Sequence, residues 1–158
     1  MIGFWKVNKP YGEFSNWYLC EIEFHGRKFC SSEQLFMYKK AKLFHDDEIA
    51  EKIVSASNQF EIKRLGRMVK NFKQDVWDKC CYDIMLSSNR LKYEQNPVLL
   101  QVLLSTGEEE ICEASPLDRI WGVGLSTDTD EYKNKTNWKG KNLLGEVLMQ
   151  IRFEKKGK

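Results

Sequence analysis

Apolar and polar positions alternate through the first thirty residues and then switch to a helical period. Phe4-Trp5-Lys6-Val7 is a short extended run, followed by a turn around Pro10-Tyr11-Gly12. Glu21-Ile22-Glu23-Phe24 and Arg27-Lys28-Phe29-Cys30 flank His25-Gly26, the pattern of a β-hairpin with a tight turn. From Ser31 onward the apolar spacing is helical. Ser31 and Ser32 can cap a first helix, with Gln34 at capping-box distance from Ser31. A second helix is predicted over 46–56, with Ile49, Ala50, Ile53 and Val54 on one face and acids in its first turn. A third runs over 59–72. A fourth runs over 75–91, with Val76, Trp77, Cys80, Ile84 and Met85 facing inward. Pro97 opens a fifth helix that Thr106-Gly107 stops. Residues 110–113 read as a strand, 114–124 as a compact loop, and 126–137 as a polar surface loop. Asn142 caps a last helix carrying Leu143, Leu144, Val147, Leu148 and Ile151. The pattern predicts one α+β domain over 1–153, mainly helical with a small N-terminal β-hairpin or sheet, and a basic tail over 154–158.

The first helix breaks the usual rule for amphipathic segments. Glu33 and Lys40 are seven residues apart, so they share its apolar stripe with Phe36 and Met37 between them, roughly 10 Å apart along the axis. Charge on an apolar helix face is costly unless it is paired or meets a wet pocket. Of the two adjacent lysines, Lys39 lies about 120° away from Glu33 and Lys40 about 20° away, so Lys40 is the candidate.

Composition narrows the function. The tail 154–158 holds three lysines and one glutamate, so the net charge of +2 belongs to it and the preceding 153 residues sum to zero. A tight non-specific nucleic-acid binder carries an overall basic excess, and this body has none; a local basic groove stays open. Cys20, Cys30, Cys80, Cys81 and Cys112 show no paired-ligand spacing, and His25 and His45 stand alone. Reduced thiols and no metal site are expected. The first nine residues lack the apolar core of a signal peptide and the length of a membrane span, so a cytoplasmic protein without membrane attachment is expected.

Two further polar clusters sit among apolar or aromatic residues. Asp118 precedes Ile120-Trp121-Gly122-Val123-Gly124, and Ser15-Asn16 is wedged between Phe14 and Trp17. Singly, each has an ordinary reading: Glu33 as a first-turn acid, Lys40 as a snorkelling lysine, Asp118 as a turn cap, Trp77 and Trp121 as core. The segment 122–124 is no dinucleotide fingerprint, because Thr127 stands where the third glycine belongs. Together, two carboxylates with aromatic faces suit cleavage of a glycosidic bond. There a sugar develops positive charge and the leaving group takes a proton. A desolvated lysine adds an amine able to form a Schiff base with an opened sugar.

The same residues recur in one order. Phe14-Ser15-Asn16, Ser32-Glu33-Gln34 with Lys40-Ala41, and Leu65-Gly66-Arg67 are followed by Trp77 and Thr106-Gly107. Then come Glu113-Ala114-Ser115-Pro116 with Asp118, Trp121, Gly122 and Gly124, and last Trp138, Gly140, Asn142 and Leu144-Gly145. Across residues 4–152 the chain resembles the NADAR, or YbiA-like, family. The resemblance implies an N-glycosidase acting on ribosylated nitrogen bases, without a cofactor. Some members remove ADP-ribose from guanine in nucleic acid, reversing a toxin-type modification, and others split ribosylamino-pyrimidine phosphates of the riboflavin pathway. By motif position, Glu33, Trp77 and Asp118 match family functional residues, and Lys40 matches a lysine proposed to act covalently. Some relatives carry a histidine where this chain has Gln34, which removes a histidine-assisted proton transfer.

The expectation is a metal-free ADP-ribosyl glycohydrolase on modified guanine. Glu33, Lys40 and Asp118 are its catalytic candidates. Phe14, Ser15, Asn16, Arg67, Trp77, Trp121, Gly122 and Asn142 are the substrate-binding candidates. The expected partner is ADP-ribosylated nucleic acid or a ribosylated nucleotide-like small molecule; the implied toxin–antitoxin partner is not named by the sequence. The alternatives are a hydrolase of the riboflavin intermediates and a module that holds ADP-ribose without cleaving it.

Overall fold

The computed structural model describes residues 1–157. They gather into two compact units, one of residues 19–96 and one of residues 1–18 with 97–157. Helix dominates the first, and in the second two helices outweigh two short strands, as the α+β prediction requires.

The 19–96 unit opens with the predicted hairpin, β2 (Ile22–Phe24) against β3 (Arg27–Phe29), with Ile22 opposite Phe29. Its two turn residues, His25 and Gly26, both have positive φ (49° and 75°), which gives the turn the twist that antiparallel strands need. Four helices follow: α1 (Ser32–Leu43), α2 (Asp47–Ser55), α3 (Gln59–Gly66) and α4 (Gln74–Gln95). Ser31 caps α1, its Oγ accepting from the Gln34 N–H at 3.1 Å. The other half of the predicted capping box is absent. The Gln34 side chain instead accepts from Cys30 N–H (2.7 Å) and donates to the carbonyls of Ile53 (2.9 Å) and Ala56 (3.2 Å). One buried amide thus ties the end of β3 and the start of α1 to the end of α2.

Three predictions in this unit are corrected. The start of α1 is not amphipathic: residues 32–37 are all buried, because α1 packs against α2, α3 and α4. The third helix stops at Gly66 rather than residue 72. There a Cβ would lie 2.0 Å from Met37 Sδ, and beyond it Asp46 Oδ2 takes the Lys70 N–H (2.8 Å) while Asn71 turns left-handed (φ 61°). The inward face of α4 is also different. It buries Cys81, Met85, Leu86, Ser88, Asn89, Lys92 and Tyr93, whereas Val76, Trp77, Cys80 and Ile84 are only half-buried. Hydrophobic periodicity missed this face because three of its buried positions are polar.

In the second unit, β1 (Ile2–Phe4) pairs in parallel with β4 (Ile111–Glu113), and it ends where the predicted 4–7 extended run began. Helices α5 (Pro97–Ser105) and α6 (Leu143–Lys155) stand near their predicted limits. The segment 126–137 is a loop with two 3-10 turns, and Trp138 fastens its end by donating Nε1–H to the Tyr132 carbonyl at 2.7 Å. Asn142 precedes α6 in a left-handed conformation, φ 55°, and its side chain does not cap the helix. Fully buried, it accepts from Glu113 N–H and donates to the Ile111 carbonyl, each at 3.0 Å, and so clamps β4 to the start of α6. Removing both bonds while leaving their partners buried costs about 2–5 kcal/mol. Asn142→Ala is therefore expected to lower stability by that amount in urea titrations; a loss below about 1 kcal/mol would contradict the clamp.

Candidate active site

Within the 19–96 unit the site is built on α1. Glu33 is 9% exposed, in the first turn, where the positive end of the helix dipole favours a carboxylate. Two turns on, the half-buried Lys40 lies with its Nζ 4.9 Å from the Phe72 ring centre and 5.3 Å from that of Trp77. Trp77 in turn tilts against Phe36, 5.3 Å between ring centres. The aromatic notch desolvates the amine, and burial is the main reason its pKa falls below that of an ordinary lysine. The Glu33 carboxylate opposes this fall and Arg67, at the end of α3, adds to it. Glu33, Lys40, Arg67 and Trp77 are thus one electrostatic group, gathered from α1, the end of α3 and the start of α4.

Lys39 faces elsewhere. Its Nζ donates to Ser87 Oγ at 2.9 Å and sits 4.7 Å from the Phe24 ring centre, and burial brings its pKa down to about 8. Acidity alone would nominate Lys39. Geometry does not: only Lys40 feels Glu33 and Arg67 and meets the Phe72 and Trp77 rings. Phe72 was missed in the sequence. It reaches the notch only because α3 stops early and Asn71 turns the chain, and no residue pattern announces that.

The remaining candidates belong to the other unit. Asp118 organises its loop: Oδ1 accepts from the backbone N–H of Ile120 (3.0 Å), Trp121 (2.8 Å) and Gly122 (3.4 Å). The loop carbonyls of Ile120, Trp121 and Gly122 receive the N–H groups of Leu143, Leu144 and Asn142, so the free donors at the start of α6 are spent on this loop. Trp121 is half-buried on the loop. Ser15 and Asn16 are nearly buried in a turn where Ser15 Oγ accepts from Trp17 N–H at 3.1 Å.

Three substrate-binding candidates receive architectural roles. Phe14 is fully buried, edge-on to Phe4 and stacked on Tyr11. Gly122 is glycine because a Cβ would meet the Asp118 and Glu113 carbonyl oxygens at 2.8 and 2.9 Å. Asn142 is the buried clamp on β4. Their side chains are enclosed or absent, and what the structure shows for each is a structural role.

The five cysteines are free thiols, and among the described residues no group of three or more His, Cys, Asp and Glu gathers. No helix among them is long and apolar enough to cross a membrane.

Comparison with known proteins gives this arrangement a family. The NADAR domain family matches residues 3–154, and the chain belongs to it. N-glycosidase R617 of Acanthamoeba polyphaga mimivirus is 46% identical over 146 residues, covering 89% of this chain and 86% of its own. N-glycosidase YbiA of Escherichia coli (strain K12) is 30% identical over 152 residues, covering 96% and 86%. The NMR structure of Escherichia coli YbiA superposes with a TM-score of 0.79 at 29% identity, covering 97% of this chain and 83% of that one. A riboflavin biosynthesis protein of Vibrio vulnificus, VVA0006, is 31% identical over 97% of this chain and 38% of its own. The chain is a NADAR-family protein of the N-glycosidase class.

The Asp118 turn gives a direct test of what its carboxylate holds. Asp118→Ala strands three backbone donors and is expected to lower stability by about 1–3 kcal/mol. Asp118→Asn keeps the Oδ1 acceptor and is expected to stay close to the parent. Chemical unfolding of the two variants reads the difference; equal stabilities would mean the turn does not depend on Oδ1.

Proposed function

We propose that this NADAR N-glycosidase removes ADP-ribose from guanine bases, with nucleic acid as the carrier of the modified base. The observation that carries the reading is the Lys40 amine. It is held in the Phe72–Trp77 notch, lowered in pKa by burial, and lies between the influence of a buried carboxylate and a guanidinium. Such an amine has a larger uncharged fraction at neutral pH than an ordinary lysine and is the better nucleophile.

In the proposed sequence the ribose ring opens and the anomeric carbon becomes an imine to the base nitrogen. Lys40 Nζ adds to that carbon and loses a proton. The bond from carbon to the base nitrogen then breaks with its electron pair on nitrogen, which takes a proton, and the base leaves. Water adds to the resulting lysine imine and releases the sugar and the free amine, so the net change is addition of one water across the glycosidic bond. Glu33 carries the protons between these steps. The Trp77 face suits a nucleobase, and the exposed Arg67 suits a phosphate of the ADP-ribose. Asp118 enters through its motif alone, and turnover by Asp118→Asn shows whether its charge is used.

The name of the Vibrio relative favours a second reading, cleavage of a ribosylamino-pyrimidine phosphate, which uses the same lysine chemistry. The two are separated by giving the protein a guanine-ADP-ribosylated oligonucleotide and, separately, the pyrimidine phosphate. Mass spectrometry follows the released sugar, and borohydride is added to trap any imine. ADP-ribose release from the oligonucleotide is expected from the parent and from Lys39→Met. A loss of about two orders of magnitude or more is expected in Lys40→Ala and Glu33→Gln. The trapped mass should sit on the peptide containing Lys40. Release only from the pyrimidine phosphate would give the second reading. Turnover that survives Lys40→Ala with no adduct would replace the covalent step by direct attack of water.

A further inference from the structure

The Asp118 loop carries a feature that its own folding does not need. Leu117 is 93% exposed and Ile120 53% exposed, two branched aliphatic side chains on either side of an aspartate. Single exposed leucines are common, but this pair sits on a backbone fixed at nearly every residue. Asp118 Oδ1 holds the N–H groups of residues 120, 121 and 122. The carbonyls of residues 119, 120, 121 and 122 accept from Lys141, Leu143, Leu144 and Asn142. The knuckle is therefore a rigid apolar projection, and little conformational freedom is lost when something covers it.

Cations surround it. The stems of Arg119 and Lys139 pack over the buried Gly124, Arg119 Cγ and Lys139 Cβ standing 3.3 and 3.0 Å from the point a Cβ would occupy there. Lys141 is fastened through its backbone to Arg119 at 2.9 Å. All three are exposed, and among the described residues none has an acidic partner within 4 Å. Of the acids elsewhere in this unit, Glu110 and Asp130 are paired with Lys135 and Lys133. Two further carboxylates belong to the knuckle: Asp118 turns its Oδ1 into its own loop, and Glu113 has its Oε2 buried, 3.3 Å from the point a Cβ on Gly122 would occupy. A neutral body thus carries a local patch of three unpaired cations around two exposed aliphatic tips.

We propose that this knuckle and its basic collar form a contact surface for single-stranded nucleic acid. Arg119, Lys139 and Lys141 meet backbone phosphates, while Leu117 and Ile120 lie against or between bases. Phosphates explain the cations, and base faces explain the apolar tips; an anion patch alone would leave Leu117 without a use. The assignment rests on the reading that the modified base is carried on nucleic acid, and it adds the surface that would hold the strand.

The test is fluorescence anisotropy with a short, labelled, unmodified single-stranded oligonucleotide across a range of salt. Inorganic polyphosphate serves as the competitor that has charge but no bases, and thermal melts check that each variant is folded. The parent is expected to bind at low salt. Lys139→Gln with Lys141→Gln should flatten the slope of log affinity against log salt by about 1.4, the change expected for two lost phosphate contacts on a single strand. Leu117→Ser should weaken binding several-fold with the slope unchanged. No binding by the parent, or variants that bind like it, would overturn the proposal. So would polyphosphate competing as well as an unlabelled oligonucleotide with Leu117→Ser indifferent, because the collar would then be a general anion patch. Failure of the glycosidase reading looks different: strand binding with the expected variant losses, but no ADP-ribose released from a modified oligonucleotide.

Discussion

Burial of the first two turns of α1 on every side is the constraint from which the rest of the 19–96 unit follows. A helix start with no solvent face must satisfy its polar groups internally, and this one does so with its own sequence. Ser31 takes one free N–H, Gln34 reaches back to β3 and across to α2, and Glu33 uses the favourable end of the helix dipole. The same enclosure leaves Lys40, two turns later, at the edge where burial ends. Its amine lies half-buried beside two rings instead of being paired away in the core, and burial lowers its pKa below that of an ordinary lysine.

The other unit solves a comparable problem with backbone. The start of α6 gives its free N–H groups to the carbonyls of the Asp118 loop, and Asn142 fastens β4 to the same point. The glycines that motif reading marks at 122 and 140 are explained by close approach: a Cβ on Gly140 would stand 2.3 Å from the Gly122 carbonyl oxygen. Much of the family's motif in this region therefore encodes the rigidity of a loop, on which Leu117 and Ile120 are left exposed.

Elements with local causes were legible in the sequence: the His25-Gly26 turn, the Ser31 cap, the acids in the first turn of α2, and Pro97 at the start of α5. Features decided by distant partners were not. The end of α3 depends on Asp46 capturing the Lys70 N–H and on Met37 filling the space beside Gly66. The pairing of β1 with β4 joins residues more than a hundred positions apart, and the buried face of α4 contains Ser88, Asn89 and Lys92, which periodicity assigns to solvent. That Lys40 rather than Lys39 shares the Glu33 side of α1 was readable from helical angle alone, whereas the approach of Phe72 was invisible. The buried positions of Asn142 and Phe14 were not legible either, because polar and aromatic motif residues look alike in sequence whether they are exposed or enclosed.

The central claim is that α1 presents Lys40 as an amine whose protonation is set by the aromatic notch, Glu33 and Arg67. The most direct measurement is an NMR titration of the Lys40 side chain, using lysine labelled at Cε and assigned with Lys40→Arg. The account predicts a midpoint below the ordinary lysine value of about 10.4. Because the carboxylate raises it and the guanidinium lowers it, the midpoint should move further down in Glu33→Gln and back up in Arg67→Gln. A midpoint at the ordinary value, unmoved by either substitution, would contradict the account.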